Sequence, residues 1–132
     1  MQTFLPYSDF NRSLQCLDYR RLGKQRVEAM QIYKTIMDKS DNWKNHPIVR
    51  MWRRYDKALA LYHNIAIKEW IKRGYKNNMP KISIQGKIQY PFWLGNSDFH
   101  ASHRSNLLRK NPEYYSKFGW KESDNLSYVW PV

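Results

Sequence analysis

The sequence predicts an all-α fold, a compact bundle of three to four helices in one domain spanning residues 1–132. Apolar side chains recur at helical spacing through two long runs, and prolines and glycines gather outside them. Helix-start signals also stand where such a bundle needs them, at Asn45-His46-Pro47, at Asn96-Ser97 and at Pro112.

The elements follow in order. The first residues read as extended, because Pro6 cannot sit inside a helix. A first long helix is expected over roughly Ser13 to Met37, with Gly23 weakening its middle. Wound at about 100° per residue, it collects Arg20, Arg21, Lys24, Glu28 and Gln31 on one side. Tyr19, Leu22, Ala29, Met30, Tyr33, Ile36 and Met37 fall on the other. Arg26 lands in the apolar arc, which requires either a bend near Gly23 or burial against a partner.

A polar loop over 38–45 leads to the second helix, capped by asparagine and opened by Pro47. Its apolar series Val49, Trp52, Tyr55, Leu59, Tyr62, Ala66 and Trp70 keeps helical spacing for about seven turns, until Arg73-Gly74 closes it. Residues 76–95 read as irregular, with a short extended piece at Lys81–Ile84. Asn96 or Ser97 caps a third helix running to about Lys110, and Pro112 opens a short fourth. The extended tail, ending Tyr128-Val129-Trp130-Pro131-Val132, is aromatic enough to pack across the body.

Composition narrows the function. The chain is 42% hydrophobic and 16% aromatic, which excludes a disordered basic tail. A formal net charge of +12 costs a compact body self-repulsion, so a polyanionic partner is expected. Nucleic acid comes first and an anionic membrane surface second. No apolar run approaches the roughly 20 residues that span a bilayer. The N-terminus lacks the basic and apolar regions of a secretory signal, and Cys16 is the only cysteine. A cytoplasmic setting, nucleoid-associated or viral, is the expectation.

The candidate sites each admit a plainer account. Arg20, Arg21, Lys24 and Glu28 form either a phosphate-binding face with one working carboxylate or a solvated surface holding a Lys24–Glu28 pair. Arg50, Arg53 and Arg54 interleave with Trp52 and Tyr55 as a nucleic-acid surface does, although those two aromatics suit a core equally. His100 and His103 are three apart, a possible metal pair without a source of further ligands, so no metal and no cofactor is expected. His103 and Arg104 stand between a phosphate or active-site role and a capping or core role.

No Gly-rich phosphate loop, nucleophile elbow or zinc-finger spacing is present. A nucleophile that leaves no side-chain motif is the α-amine. With a pKa near about 7.7–8, roughly a tenth of such an amine is unprotonated at neutral pH, enough to attack a sugar C1′ and form an imine.

Several motifs resemble one family. Leu17-Asp18, Leu22 four residues after that aspartate, Glu28 six further on, and Asn45-His46-Pro47 are similar to the pattern of the pyrimidine-dimer DNA glycosylases (endonuclease V-like). The run from Tyr55-Asp56-Lys57 to Lys72-Arg73-Gly74-Tyr75 resembles the family's second helix. His103, Leu107-Leu108, Arg109-Lys110 and Pro112 resemble the C-terminal pattern of its bacterial members. RRLGKQRVE, SHRSNLLRK and a YVWP ending mark this chain's branch.

The resemblance implies an all-α fold and a glycosylase with abasic-site lyase activity on damaged or modified bases, pyrimidine dimers among them. It implies an N-terminal amine that displaces the base through an imine, and a glutamate that assists ring opening and proton transfers. Those catalytic roles fall on Met1 and Glu28. The family's arginine before the glutamate is Val27 here. Gln2 is too large for efficient removal of Met1, so the amine is that of Met1 itself. DNA contacts are expected from Arg20, Arg21, Lys24, Arg26, Arg50, Arg53, Arg54, His103, Arg104 and Lys110, with double-stranded DNA as partner and no obligate protein partner. The alternatives are a non-catalytic nucleic-acid-binding protein of the same fold, or a glycosylase for another modified base.

Overall fold

The computed structural model describes residues 1–132 and is wholly helical, without a strand. There are six α-helices, more than the three to four expected, because each long run is broken once. The first run divides into α1, Phe10–Gln15, and α2, Tyr19–Ile36. Its break lies at Leu17-Asp18 and not at Gly23. The Asp18 N–H donates to the Tyr115 hydroxyl, 97 residues away, instead of continuing the helical ladder. Asp18 is therefore extended, and its carbonyl accepts the first bond of α2 from Leu22 N.

The second run divides into α3, Pro47–Trp52, and α4, Asp56–Lys72. Tyr55 leaves helical geometry at the break, and Asp56 then sits in the first turn of α4, where a carboxylate favours the helix dipole. The cap of α3 is His46, not Asn45; its Nδ1 accepts from Ile48 N at 3.0 Å. Asn96 caps α5, Ser97–Lys110, and Asn111 precedes Pro112 at the head of α6, Pro112–Tyr115. A short 3-10 turn, Ser116–Phe118, follows.

α2 packs chiefly along α4. Leu22, Ala29 and Ile32 of α2 join Trp52, Leu59, Tyr62 and Ala66 in one buried cluster. Gly23 serves this contact, since a Cβ there would come within 3.1 Å of the Trp70 ring. The helix stays continuous at Gly23, and Arg26 is accommodated partly buried against side chains outside α2. Its guanidinium lies 4.2 Å from the Trp70 ring centroid and donates to Asn77 Oδ1 at 2.7 Å. Tyr19 and Met37, expected on the buried side, are exposed.

The irregular segment is held by side chains, not by a ladder. Asn64 donates to Ile82 O and accepts from Ile82 N, both at 2.8 Å, so the expected extended piece makes no strand. The aromatic tail does cross the body. Leu126 N and Val129 N donate to Ser105 and Ser102 of α5, and Tyr128 and Trp130 pack against the core. No helix is long and apolar enough to cross a membrane.

Candidate active site

The first six residues are buried after Met1, which is half-buried, and run extended through the fold with no strand beside them. Buried peptide groups need partners, and here side chains supply them. Phe4 N donates to Gln25 Oε1 at 2.9 Å, and Phe4 O accepts from the Tyr62 hydroxyl at 2.8 Å. Leu5 N donates to His103 Nδ1 at 2.8 Å, while His100 Nδ1 contacts Leu5 O at 2.7 Å. Pro6 O accepts from Arg104 at 2.7 Å, and the Thr3 hydroxyl accepts from Trp52 Nε1 at 3.0 Å. Four helices thus grip one strand-like segment.

The imidazole roles follow from these partners. His100 Nε2 accepts from Gly95 N, so its Nδ1 carries the proton donated to Leu5 O. His103 Nδ1 is an acceptor, so its Nε2 carries a proton with no partner, enclosed beside the Phe4, Phe99 and Tyr128 rings. Burial drives the His103 pKa down to about 3, and His100 lowers it further by repulsion. His103 is thus a neutral clamp of the core, and Arg104 is occupied by a two-pronged ion pair with Glu122. Neither presents a free charge to a ligand.

The clamped segment delivers the chain terminus to a pocket of about 400 Å³. Gln2 N donates to Glu28 Oε2 at 3.0 Å, and Met1 forms part of the wall. Arg20, Arg21, Lys24 and Lys110 supply four cations; Phe4, Gln25 and Tyr128 complete the lining. The Lys24–Glu28 pair that helical spacing permits is not formed. Arg21 pairs instead with Asp18 at 3.2 Å. Partial burial, then repulsion from Arg21, Arg109 and Lys24, lowers the Lys110 pKa, with Glu28 opposing. Burial pushes the Tyr128 phenol up to about 12, so it is a neutral hydrogen-bonding group at physiological pH.

His46 lies within electrostatic reach of the same terminus. Burial, then repulsion from the α-ammonium, holds its pKa below the ordinary histidine value. Its ring stands edge-on to Trp130 at 5.6 Å and to Trp43 at 5.7 Å. The other conceivable nucleophile, Cys16, is buried, and desolvation pushes its thiol up to about 12, leaving it unreactive. The chain has no cluster of three or more His, Cys, Asp or Glu able to hold a metal ion.

Of the residues singled out in the sequence, Met1, Glu28, Arg20, Arg21, Lys24 and Lys110 converge on this pocket. Arg26 is drawn to Trp70 and Asn77, and Arg53 donates to Lys44 O. Arg50 and Arg54 are exposed outside the pocket. Gln25 was the residue missed, although it carried a signal: a carboxamide in the apolar stripe of Leu22, Ala29 and Ile32. A polar group at such a position must find a buried partner, and it finds two, Phe4 N and the Tyr62 hydroxyl.

No curated protein and no solved structure matches the chain. The family described as pyrimidine dimer DNA glycosylase matches residues 1–83, which hold the clamped terminus, the whole of α2 with Glu28, and α3 and α4. More than half of the chain is thereby covered, including the cationic wall formed by Arg20, Arg21 and Lys24. On that match, the chain belongs to the pyrimidine dimer DNA glycosylase family.

Proposed function

We propose that this protein removes damaged or modified bases from double-stranded DNA and cleaves the resulting abasic site, using the α-amine of Met1 as nucleophile. The observation that carries the proposal is the clamp. A chain does not bury its first residues against side chains from four helices by default, and this one does so to end beside a carboxylate in a cationic pocket. Holding a nucleophile at a fixed distance from its acid–base partner removes much of the entropic barrier to the reaction.

In this reading the unprotonated amine attacks C1′ of the target nucleotide. The N-glycosidic bond breaks, and its electron pair leaves with the base. The ring oxygen is then protonated, the sugar opens, and the amine and C1′ become an iminium. Glu28 keeps one oxygen on Gln2 N, which leaves the other to exchange protons with the sugar. The iminium acidifies the C2′ proton; its removal expels the 3′ phosphate, and water releases the enzyme. Arg20, Arg21, Lys24 and Lys110 hold the flanking phosphates. A cytoplasmic or nucleoid setting follows from the substrate.

The test is borohydride trapping on abasic and ultraviolet-irradiated duplexes. A covalent adduct mapped to the peptide beginning at Met1 supports the mechanism. An N-terminal extension left uncleaved should abolish the adduct while preserving DNA affinity. An adduct on Lys24 or Lys110 refutes the α-amine, and the absence of any adduct on either duplex leaves the non-catalytic binding protein as the better reading.

A further inference from the structure

Asp18 stands at the N-cap of α2 with a side chain well suited to cap a helix, yet its carboxylate makes no capping bond there. Both of its oxygens accept from Arg21 Nη1 at 3.2 Å, and Oδ1 also accepts from the Tyr115 hydroxyl. That hydroxyl in turn accepts from Asp18 N at 3.0 Å. Asp18 and Tyr115 are both buried, and the Tyr115 ring stacks on Trp120. Burial, then the bond to Asp18, raises the phenol pKa above its ordinary value, so the hydroxyl keeps its proton as the donor. A carboxylate removed from water is stable only when well paired, and here the pairing leads to one cation.

That cation is set apart from the others in the pocket. Arg20, Lys24 and Lys110 are exposed and make no ion pair. Arg21 is half-buried and held through Nη1, which leaves Nε and Nη2 as a fork for an anion in the pocket. We propose that Arg21 holds the phosphate that departs from C3′ in the lyase step, and that Asp18 and Tyr115 are the positioning residues that fix it. Tyr115 lies beyond the family match, which ends at residue 83, so the C-terminal part of the chain completes the site.

The chemistry matches this phosphate to the fixed cation. In the elimination the C2′ proton passes to a base, for which Glu28 is the one carboxylate in the pocket lining. The C2′–H electron pair becomes the C2′–C3′ double bond, and the C3′–O bond breaks with its pair on oxygen. The departing diester thereby becomes a monoester and gains a charge, whereas the phosphate on the 5′ side keeps the charge it had. A donor already in place when charge develops lowers that barrier, because nothing has to be reordered at the moment of reaction. A mobile lysine neutralises a standing charge but offers no rigid fork, which suits the other phosphates. Asp18 also offsets part of the Arg21 charge, which fits a directional role better than a share in the general attraction.

The proposal rests on the lyase reading above, so the experiment separates two steps on one abasic duplex with the full-length protein. Borohydride trapping measures imine formation, and single-turnover strand cleavage without borohydride measures elimination. Tyr115→Phe keeps the stacked ring and removes only the hydroxyl. It should slow elimination about tenfold, while the trapping rate and the slope of log K against log salt stay as in the wild type. Arg21→Lys keeps the charge and loses the fork, and should slow elimination by about 10²-fold with the slope again unchanged. The double variant should be no slower than Arg21→Lys, because Tyr115 acts only through that guanidinium. Arg21 is half-buried, so Arg21→Lys should fold, and its ratio of elimination to trapping decides the matter if Tyr115→Phe does not fold. Equal losses in trapping and elimination, or losses that multiply in the double variant, would overturn the relay and reduce Asp18 and Tyr115 to a tie between α2 and α6. Unchanged elimination in variants of a wild type that traps and cleaves would overturn the relay alone. A wild type that traps nothing would instead overturn the lyase reading beneath it.

Discussion

The backbone N–H of Gln2 donates to Glu28 Oε2 at 3.0 Å across 26 residues of sequence. It is the last in a series of contacts that begins at Pro6, and it ties the first peptide group of the chain to the one carboxylate in a cationic pocket. The bond has two consequences: it orients the carboxylate, and it fixes the terminus one residue further out.

Glu28→Gln separates these consequences. The amide oxygen can still accept from Gln2 N, so the terminus should stay in place. The charge and the proton-transfer capacity are lost. Cleavage of abasic DNA should fall by about 10²- to 10⁴-fold, while affinity stays equal or rises because the pocket loses the one carboxylate in its lining. Single-turnover cleavage set beside equilibrium binding measures both, and wild-type cleavage would reduce Glu28 to a structural acceptor.

The cations should not be equivalent. Lys24→Glu and Lys110→Glu face the pocket and should each flatten the dependence of log K on log salt by about 0.9 or more. Arg104→Glu should leave that slope unchanged and lower the melting temperature instead, because its guanidinium bridges Glu122 and Pro6 O. A salt slope lowered equally by all three would place the DNA elsewhere.

Gln25→Leu tests the clamp. Gln25 Oε1 is the acceptor for Phe4 N and for the Tyr62 hydroxyl, and leucine leaves Phe4 N unpaired in the core while the hydroxyl keeps Phe4 O as its acceptor. The cost should be about 1–3 kcal/mol in chemical denaturation. Trapping should slow well beyond the fraction of protein unfolded, since the terminus loses its placement.

His103 makes stability depend on pH with a definite sign. Its pKa in the fold is about 3, below the ordinary histidine value, so the unfolded chain binds the additional proton. Stability is therefore fully present above about pH 6.5 and declines as pH falls towards 3, by at most about 1.4 kcal/mol per unit from this residue. His46, His63 and His100 are lowered too and act in the same direction. In His103→Asn the amide oxygen can still accept from Leu5 N, and the titration is gone. Its melting temperature should change less between pH 7 and pH 5 than that of the wild type. An identical profile would mean that the other histidines carry the effect.

The sequence by itself determined what depends on neighbours in the chain. Helical class, the cap at Asn96, the start at Pro47 and the shared face of Arg20, Arg21, Lys24 and Glu28 all follow from spacings of a few residues, which a helix turns into geometry. The tertiary structure alone decided where those helices break and which charges remain free. The break before α2 depends on the Tyr115 hydroxyl taking Asp18 N, and the fate of Arg104 depends on Glu122 and Pro6. The clamp on Leu5 comes from histidines 95 and 98 residues away. Such pairings leave no periodic trace, because a side chain that reaches across the fold is chosen by the space and the unpaired peptide groups it meets there, not by its sequence neighbours.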